Sequence, residues 1–474
     1  MRPIFVCASC ARRRASAPFR CRLSAKPAAC RNERHEVPSH PPTTLSSWEH
    51  VRREPSPAMK PPPKATEPPD RSARGNPPPA TAGFPTARDV PPERNLGSYT
   101  TTWALPEVHA LSMVFADVNA VNRAEYPTVA TLERECLVRL GRLWSHPGGT
   151  VVGCSTTGST EAAMLAALTL LRRWETRTGK AGRMRPNLVL GAGAHACWYR
   201  FCRYWGVDCR TVPGTFPGFT ADPGAISAHC DRATIGAVAT LGNSETGRYD
   251  PVAGVVEALD ALEGRTGLAV PVHVDAASGG FVAPFVQPEL SWGFELPRVR
   301  SVNASGHKFG MTSLGVGWLL WRGAGDCPDE LLHSAAYIGD GVPAIGLSFS
   351  RSATPILQQH YLLSHVGHHG YSSALAECRQ AAEAVAALLA RHPGLSLLNP
   401  GLDLPVVSFR DRRASGVVQR LSAAMRLRRW AVPVYPLLAD PEHGTAGRVV
   451  IRPGFPAPLL RELLTDLATA LEAA

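Results

Sequence analysis

The sequence predicts an α/β fold: a large domain on a mostly parallel sheet, followed by a smaller C-terminal α+β domain. Three observations carry this prediction. Short β-rich runs alternate with helical stretches through the middle of the chain, the alternation gives way near residue 350 to a long helical pattern, and small-residue turns follow directly on several of the β runs. Ligands of open parallel sheets lie beyond the carboxyl ends of the strands, so the turns also say where to look for a site.

The chain has 474 residues and is 44% hydrophobic, enough to fill two cores. Its net charge of +11 is unevenly spread: residues 1–95 hold 17 Lys and Arg against 8 Asp and Glu, together with 19 of the 43 prolines. The remainder is nearly neutral, so the charge gives no reason to invoke nucleic acid. Residues 1–94, broken by Pro61-Pro62-Pro63 and Pro77-Pro78-Pro79, lack hydrophobic periodicity and are expected to be a disordered basic tail. Three readings of it stay open: an organelle transit peptide, a plain solvated extension, or a start site set too early, with Met59 as the true start. Cys7 and Cys10 form a C-x-x-C without a second pair at zinc spacing, and the eight cysteines from Cys136 onward sit in apolar contexts expected of reduced thiols in a cytoplasmic enzyme. No apolar run reaches the roughly 18 residues of a membrane span.

An entry arm with helices is expected over 95–150, including a helical spacing at Leu132, Cys136, Leu140 and Leu143. The large domain is expected over 151–350. Its β runs are Thr150–Val152, Leu188–Leu190, Cys209–Val212, Ile235–Leu241, Leu268–Val274, Val299–Asn303 and Val316–Trp321; helical stretches include Glu161–Trp174, Cys197–Trp205 and Val252–Leu262. Residues 351–474 supply a connecting helix from Pro355 to Val366, extending further if Gly370 is tolerated, then a small domain. That domain is expected to have strands near Val406–Phe409, Val432–Tyr435 and Arg448–Ile451, and a last helix from Pro458.

The chemistry centres on Ser305-Gly306-His307-Lys308, just after a β run. A lysine there, pushed toward its free amine by burial, can hold the aldehyde of pyridoxal 5'-phosphate as a Schiff base. Taken alone, such a lysine is more often a surface residue with its stem on apolar groups. Upstream, Gly153 to Ala163 forms a small-residue turn opening a helix, where Ser159 and Thr160 suit either a phosphate site or a plain helix cap. The run Val272-His273-Val274-Asp275 ends a strand in an acid, 33 residues before Lys308. Such an aspartate can pair with a protonated pyridine nitrogen, cap a turn or bind a metal. His195 stands where an imidazole can stack on a ring face or simply start a helix, while Thr240 and Ser244 flank a turn at another strand end. His307 is placed to reach the phosphate or to gate the Schiff base. His360, His365, His368 and His369 read as a solvated helix face rather than a metal site, because no carboxylate or cysteine recurs at ligand spacing.

Four blocks, in order, resemble the pyridoxal-phosphate group II amino acid decarboxylases, with glutamate decarboxylases the nearest in pattern: GCSTTGSTEA, GNSETGRYDPV, VHVDAASGGFVAPF and SVNASGHKFG with GVGWLLWR. The resemblance covers roughly residues 95–474. It implies fold type I, pyridoxal phosphate as cofactor, and a homodimer or higher oligomer with sites at the subunit boundary. By position it makes Lys308 the Schiff-base lysine and Asp275 the pyridinium partner, with Ser159 and Thr160 on the phosphate. His195, Thr240, Ser244, Ser305 and His307 become further cofactor contacts. Phe349-Ser350-Arg351 resembles the segment lent by the neighbouring subunit. Arg448 falls near the substrate α-carboxylate, and Ser98, Tyr99, Asn119 and Asn122 in the distal pocket. The implied reaction is α-decarboxylation of L-glutamate to 4-aminobutyrate. That pocket departs from the pattern at Asn122, where bacterial and plant members carry aspartate; His195 replaces a glutamine of bacterial members, and Ser352 a proline. Aspartate, a modified glutamate or another polar amino acid is therefore the alternative substrate.

Overall fold

The structure, a computed structural model, describes residues 89–179, 184–216, 218–334, 344–413, 415–437 and 445–474. The Pro-rich tail before residue 89 and the Cys7/Cys10 pair lie outside the described residues. Two α-helices come first among the described residues, α1 (Pro106–Val114) and α2 (Pro127–Leu143), each begun by a proline in its first turn, where the missing N–H costs nothing. Strand β1 (Val152–Thr156) then feeds α3 (Ser159–Thr178). The following units are β2 (Asn187–Gly191), α4 (Ala196–Trp205), β3 (Asp208–Val212), and a small hairpin of β4 (Gly214–Thr215) and β5 (Thr220–Ala221). Next come α5 (Pro223–Ala228), β6 (Thr234–Thr240), α6 (Val252–Thr266), β7 (Val272–Asp275), α7 (Ala283–Val286), β8 (Val299–Ser305) and β9 (Gly317–Trp321).

The large sheet has seven strands in the order β1-β9-β8-β7-β6-β2-β3. Strands β3, β2, β6, β7 and β8 pair in parallel, and β9 alone runs the other way, antiparallel to both β8 and β1. This bears out the expected mostly parallel sheet. Its central strands are buried on both faces, which is why they read as continuous apolar runs rather than alternating ones. One face packs on α3 and α4 through Leu168, Leu171, Trp198 and Phe201. The other carries Val255, Leu259, Phe281 and Ile356.

Past the large sheet, α8 (Thr354–Tyr361) passes through one π turn at Leu362–Val366 into α9 (Gly367–Leu389). A four-stranded antiparallel sheet follows, in the order β10-β11-β13-β12. Its strands are β10 (Leu395–Pro400), β11 (Val406–Asp411), β12 (Val434–Pro436) and β13 (Thr445–Val450), and α10 (Val417–Leu427) and α11 (Ala457–Glu472) cover it. Its core holds Val385, Leu389, Phe409, Leu421, Trp430 and Leu463. The structure differs from the sequence expectation in several elements: β10 and α10 answer to no expected run, β7 begins at Val272 rather than Leu268, and the first strand and the connecting helix also take bounds of their own. The first strand forms at Val152–Thr156 rather than Thr150–Val152, because the Gly153 to Thr156 run pairs with Leu320 to Gly317 on β9. The connecting helix takes the longer of its two expected courses and runs on to Leu389, with one π turn at Leu362–Val366 just ahead of Gly367 and with Gly370 inside α9.

Candidate active site

The carboxyl ends of β6, β7 and β8 build the site. Register sets Thr240 opposite Asp275, and Asp275 opposite Asn303, so three polar side chains line up at one sheet edge. Two residues past Asn303 the strand ends at Ser305, and the chain turns at Gly306. A Cβ there would meet Gln359 Oε1 and Val316 Cγ1 at 2.5 Å, so only glycine lets the turn pack and deliver Lys308.

Lys308 is half-buried by its surface, but its amine lies deep. Nζ donates to Ser278 Oγ at 3.1 Å and stands 5.3 Å from the Tyr99 ring centre. Loss of solvation pulls its pKa below the ordinary lysine value; the Asp275 carboxylate opposes this and Arg448 adds to it. The entry arm clamps the backbone here, Thr101 Oγ1 donating to the carbonyls of His307 at 3.1 Å and Lys308 at 2.8 Å.

Asp275 is buried at 3% exposure. Its Oδ2 accepts from Trp198 Nε1 at 2.8 Å, and its Oδ1 from Asn303 Nδ2 and the Ala277 N–H, both at 3.2 Å. Three donors around one carboxylate fix its orientation at the end of β7. His195 caps α4, its Nδ1 accepting from the Cys197 N–H at 3.3 Å, and its ring is exposed.

Facing these residues is the start of α3. Gly158 precedes it at φ 157° and supplies no side-chain cap, so the first-turn N–H groups present the positive end of the helix, with Ser159 and Thr160 in that turn. Ser305 Oγ donates to Ser159 Oγ at 2.7 Å, tying the end of β8 to this helix. His307 Nδ1 donates to the Val316 carbonyl at 3.1 Å, and burial, then Lys308, push its pKa down to about 4, so the ring is neutral. Thr240 is buried, and its N–H donates to Asp250 Oδ2 at 2.7 Å.

On the other side stands Arg448, from β13. Its guanidinium lies between the rings of Tyr99 at 5.2 Å and Tyr435 at 5.3 Å, donating to the Ser244 carbonyl at 2.6 Å and the Gly97 carbonyl at 2.9 Å. Ser98 Oγ accepts from the Thr100 N–H in the same arm at 3.1 Å.

The remaining predicted residues gather elsewhere. Asn119 Nδ2 donates to Ser350 Oγ at 3.2 Å, while its Oδ1 accepts from the Arg351 N–H at 3.1 Å; Asn122 donates from its N–H to the Asn119 carbonyl at 3.1 Å. Two acids hold this second cluster. Glu161 on α3 accepts from the N–H groups of Leu347 at 2.8 Å and Ser348 at 2.9 Å, and buried Glu133 pairs with Arg351 at 3.3 Å and Arg123 at 3.0 Å. Burial raises the Glu133 pKa, but the two guanidiniums and the Ser155 hydrogen bonds together outweigh it and the net shift is downward. Phe349 and Ser350 are exposed.

Sequence reasoning passed over Trp198, Ser278, Asn303 and Tyr435. One signal was present: Ser301, Asn303 and Ser305 alternate along an otherwise apolar strand and so share a face. The histidines of the connecting helices do not converge: His360 pairs with Glu135 at 2.7 Å, His365 stacks on Tyr361, and His368 lies against Phe285.

A deep-lying amine biased toward its free form, a buried carboxylate one strand away and an uncapped helix start that carries two hydroxyl residues match the aldehyde, ring nitrogen and phosphate of pyridoxal phosphate in turn. The model of the pyridoxal-dependent decarboxylase conserved domain matches residues 88–412. The chain belongs to this family of pyridoxal-dependent decarboxylases. Within the family it is 37% identical to a glutamate decarboxylase of Aliivibrio fischeri over 386 residues, 80% of this chain and 83% of that one. It is 36% identical to glutamate decarboxylase 2 of Arabidopsis thaliana over 390 residues, 81% and 79% of the two chains. The solved structure of Lactobacillus brevis glutamate decarboxylase superposes with a TM-score of 0.78 at 32% identity, covering 90% of this decarboxylase and 96% of that chain.

Proposed function

We propose that this decarboxylase converts L-glutamate to 4-aminobutyrate and carbon dioxide, consuming one proton. The observation that carries the reading is the 37% identity with a glutamate decarboxylase across four-fifths of both chains, joined to a Lys308–Asp275 edge that fits the cofactor. Pyridoxal phosphate, when bound, supplies an electron sink for the pair left behind as the carboxylate carbon departs.

In this reading Lys308 holds the cofactor aldehyde covalently, its depressed pKa keeping the amine nucleophilic. Asp275, held by Trp198 and Asn303, would pair with the ring nitrogen. Ser159, Thr160 and Ser305 receive the phosphate at the start of α3, with His307, Thr240 and Ser244 as further contacts and His195 on the ring face. Arg448, fixed between two tyrosine rings, meets the α-carboxylate, and Ser98 and Tyr99 line the substrate side. Lys308 Nζ, beside Ser278 Oγ at 3.1 Å, would also be the group placed to bring the proton required at the α-carbon.

Asn119, Asn122, Phe349 and Ser350 sit in a cluster of their own, which fits a homodimer or larger homo-oligomer in which this segment completes a neighbour's site. The described residues hold no helix long and apolar enough to cross a membrane, which accords with a cytoplasmic enzyme. The uncharged Asn122 favours one second reading, decarboxylation of another acidic or polar amino acid.

The deciding experiment is product analysis of the purified protein with added cofactor across glutamate, aspartate and other amino acids. Glutamate is expected to be the substrate consumed, with Lys308→Ala cutting turnover by about a thousandfold or more. Inert glutamate beside another consumed acid would replace the substrate assignment, and full turnover by Lys308→Ala would remove the role of that lysine.

A further inference from the structure

Behind Asp275 lies a chain of buried polar side chains to which the reaction assigns no part. His273, two residues earlier on β7, is fully buried, as is Asn303 on β8, and Ser301 is 1% exposed. His273 Nε2 lies 2.7 Å from Asn303 Oδ1, and His273 Nδ1 lies 2.7 Å from Ser301 Oγ. Asn303 Nδ2 reaches Asp275 Oδ1 at 3.2 Å.

The direction of every hydrogen bond in this chain follows from its end. An ionised carboxylate only accepts, so the Asn303 amide must turn its NH2 toward Asp275 and its oxygen toward His273. That oxygen in turn only accepts, so His273 carries its proton on Nε2. Its bare Nδ1 then accepts from the Ser301 hydroxyl. Serine, imidazole and amide thus form a one-way series of donors ending on the carboxylate, and each polarises the next in a dry interior. Burial pushes the His273 pKa down to about 4, so the ring stays neutral and the order does not reverse. Trp198 donates to the other carboxylate oxygen and packs its ring 5.1 Å from that of His273, closing the group from the α4 side.

We propose that Ser301, His273 and Asn303 are positioning residues that set the charge and orientation of Asp275 toward the cofactor ring nitrogen. The inference rests on the reading of Asp275 given above. The two strands supply it cheaply, since register alone sets the three side chains in line.

The test compares equilibrium binding of pyridoxal phosphate and of its carbocyclic analogue, in which a C–H replaces the ring nitrogen, to the apo form of the full chain. The wild type should favour the natural cofactor. His273→Leu should shrink that preference by about tenfold while leaving analogue binding nearly unchanged, and His273→Gln, which keeps a donor toward Asn303, should restore most of it. Ser301→Ala, the mildest change, should lower the preference by a few-fold even if the leucine variant folds poorly. Equal losses for both ligands, or an unchanged preference in Ser301→Ala and His273→Leu, would reduce the series to core packing. Asp275→Asn separates the two levels: if it abolishes the preference while the His273 and Ser301 variants do not, only the relay fails. If Asp275→Asn also leaves the preference intact, the ring-nitrogen role of Asp275 itself is wrong.

Discussion

Two buried imidazoles bias the folded protein against acid. His273 and His307 each have a pKa pushed to about 4 by burial, against an ordinary 6.5. A depressed folded pKa contributes stability that is fully present above about 6.5 and is lost as pH falls through 4. Asp250 works the other way: burial lifts its pKa to about 6, so its contribution is present below the ordinary 3.8 and fades as pH rises through 6. Two groups against one leave a net loss on acidification, and Glu133, held low mainly by Arg351 and Arg123 against its burial, extends the loss further down. We predict a urea midpoint lower at about pH 4.5 than at about pH 7, with the gap narrowed in His307→Gln. A midpoint that rises on acidification would mean that Asp250 outweighs both rings. Lys308 and Asp275 were legible in the sequence because small residues beside a strand end mark a ligand edge. Trp198 and Asn303 were not, since their meeting at Asp275 depends on strand register and on how α4 lies over the sheet.

At the scale of elements, the contact between β9 and the start of α3 decides whether the phosphate end of the site exists. A Cβ on Gly317 would fall within 2.7 Å of the Gly158 carbonyl oxygen and the Ser159 nitrogen, backbone atoms that no rotamer change can move. Gly317→Ala must therefore push the first turn of α3 off the sheet edge. The expected outcome is a folded protein destabilised by about 1–3 kcal/mol, as for other overpacked sites, and with a cofactor dissociation constant raised by about tenfold or more as the Ser159 contacts are displaced. Gly323→Ala, with nothing within 4 Å of its Cβ, is the matched control and should change neither stability nor binding. Unaltered cofactor binding in Gly317→Ala would detach the helix start from the phosphate. The sequence showed the turn and the helix but not this contact. Gly153 to Thr156 read as part of the loop, and only the partner strand β9 turns it into β1. Strand β10 and helix α10 went unread for a similar reason: their amphipathic faces are short, and the sheet they cover forms from segments far apart in sequence.

Over the whole molecule, the predicted site residues divide into two sets within one chain. Lys308, Asp275, Arg448 and the start of α3 form one; Asn119, Ser350 and Arg351 form the other, tied to the first through Glu161, which holds Leu347 and Ser348 from the same helix that begins with Ser159, and through Arg351, which meets Ser155 on β1. The second set stands beside exposed Leu347 and Phe349, and exposed Met113 and Val114 add to the apolar surface that a second copy would cover. The resemblance to known decarboxylases marked Phe349 and Ser350 as a lent segment, but no sequence pattern revealed that Asn119 travels with them. If each site draws Lys308 from one chain and the Ser350 loop from another, two inactive variants should repair each other. Lys308→Ala lacks the lysine but has a sound loop; a Phe349→Ala/Ser350→Ala double variant has the reverse defect. In a mixed dimer one site inherits both sound parts and the other inherits neither. Random pairing of equal amounts makes half of the dimers mixed, so co-expression should recover about a quarter of wild-type turnover from parents that have almost none. Activity that stays at the level of the parents, with mixed dimers demonstrated by differential tagging, would place the Ser350 loop outside the partner's site and leave each chain's centre complete by itself.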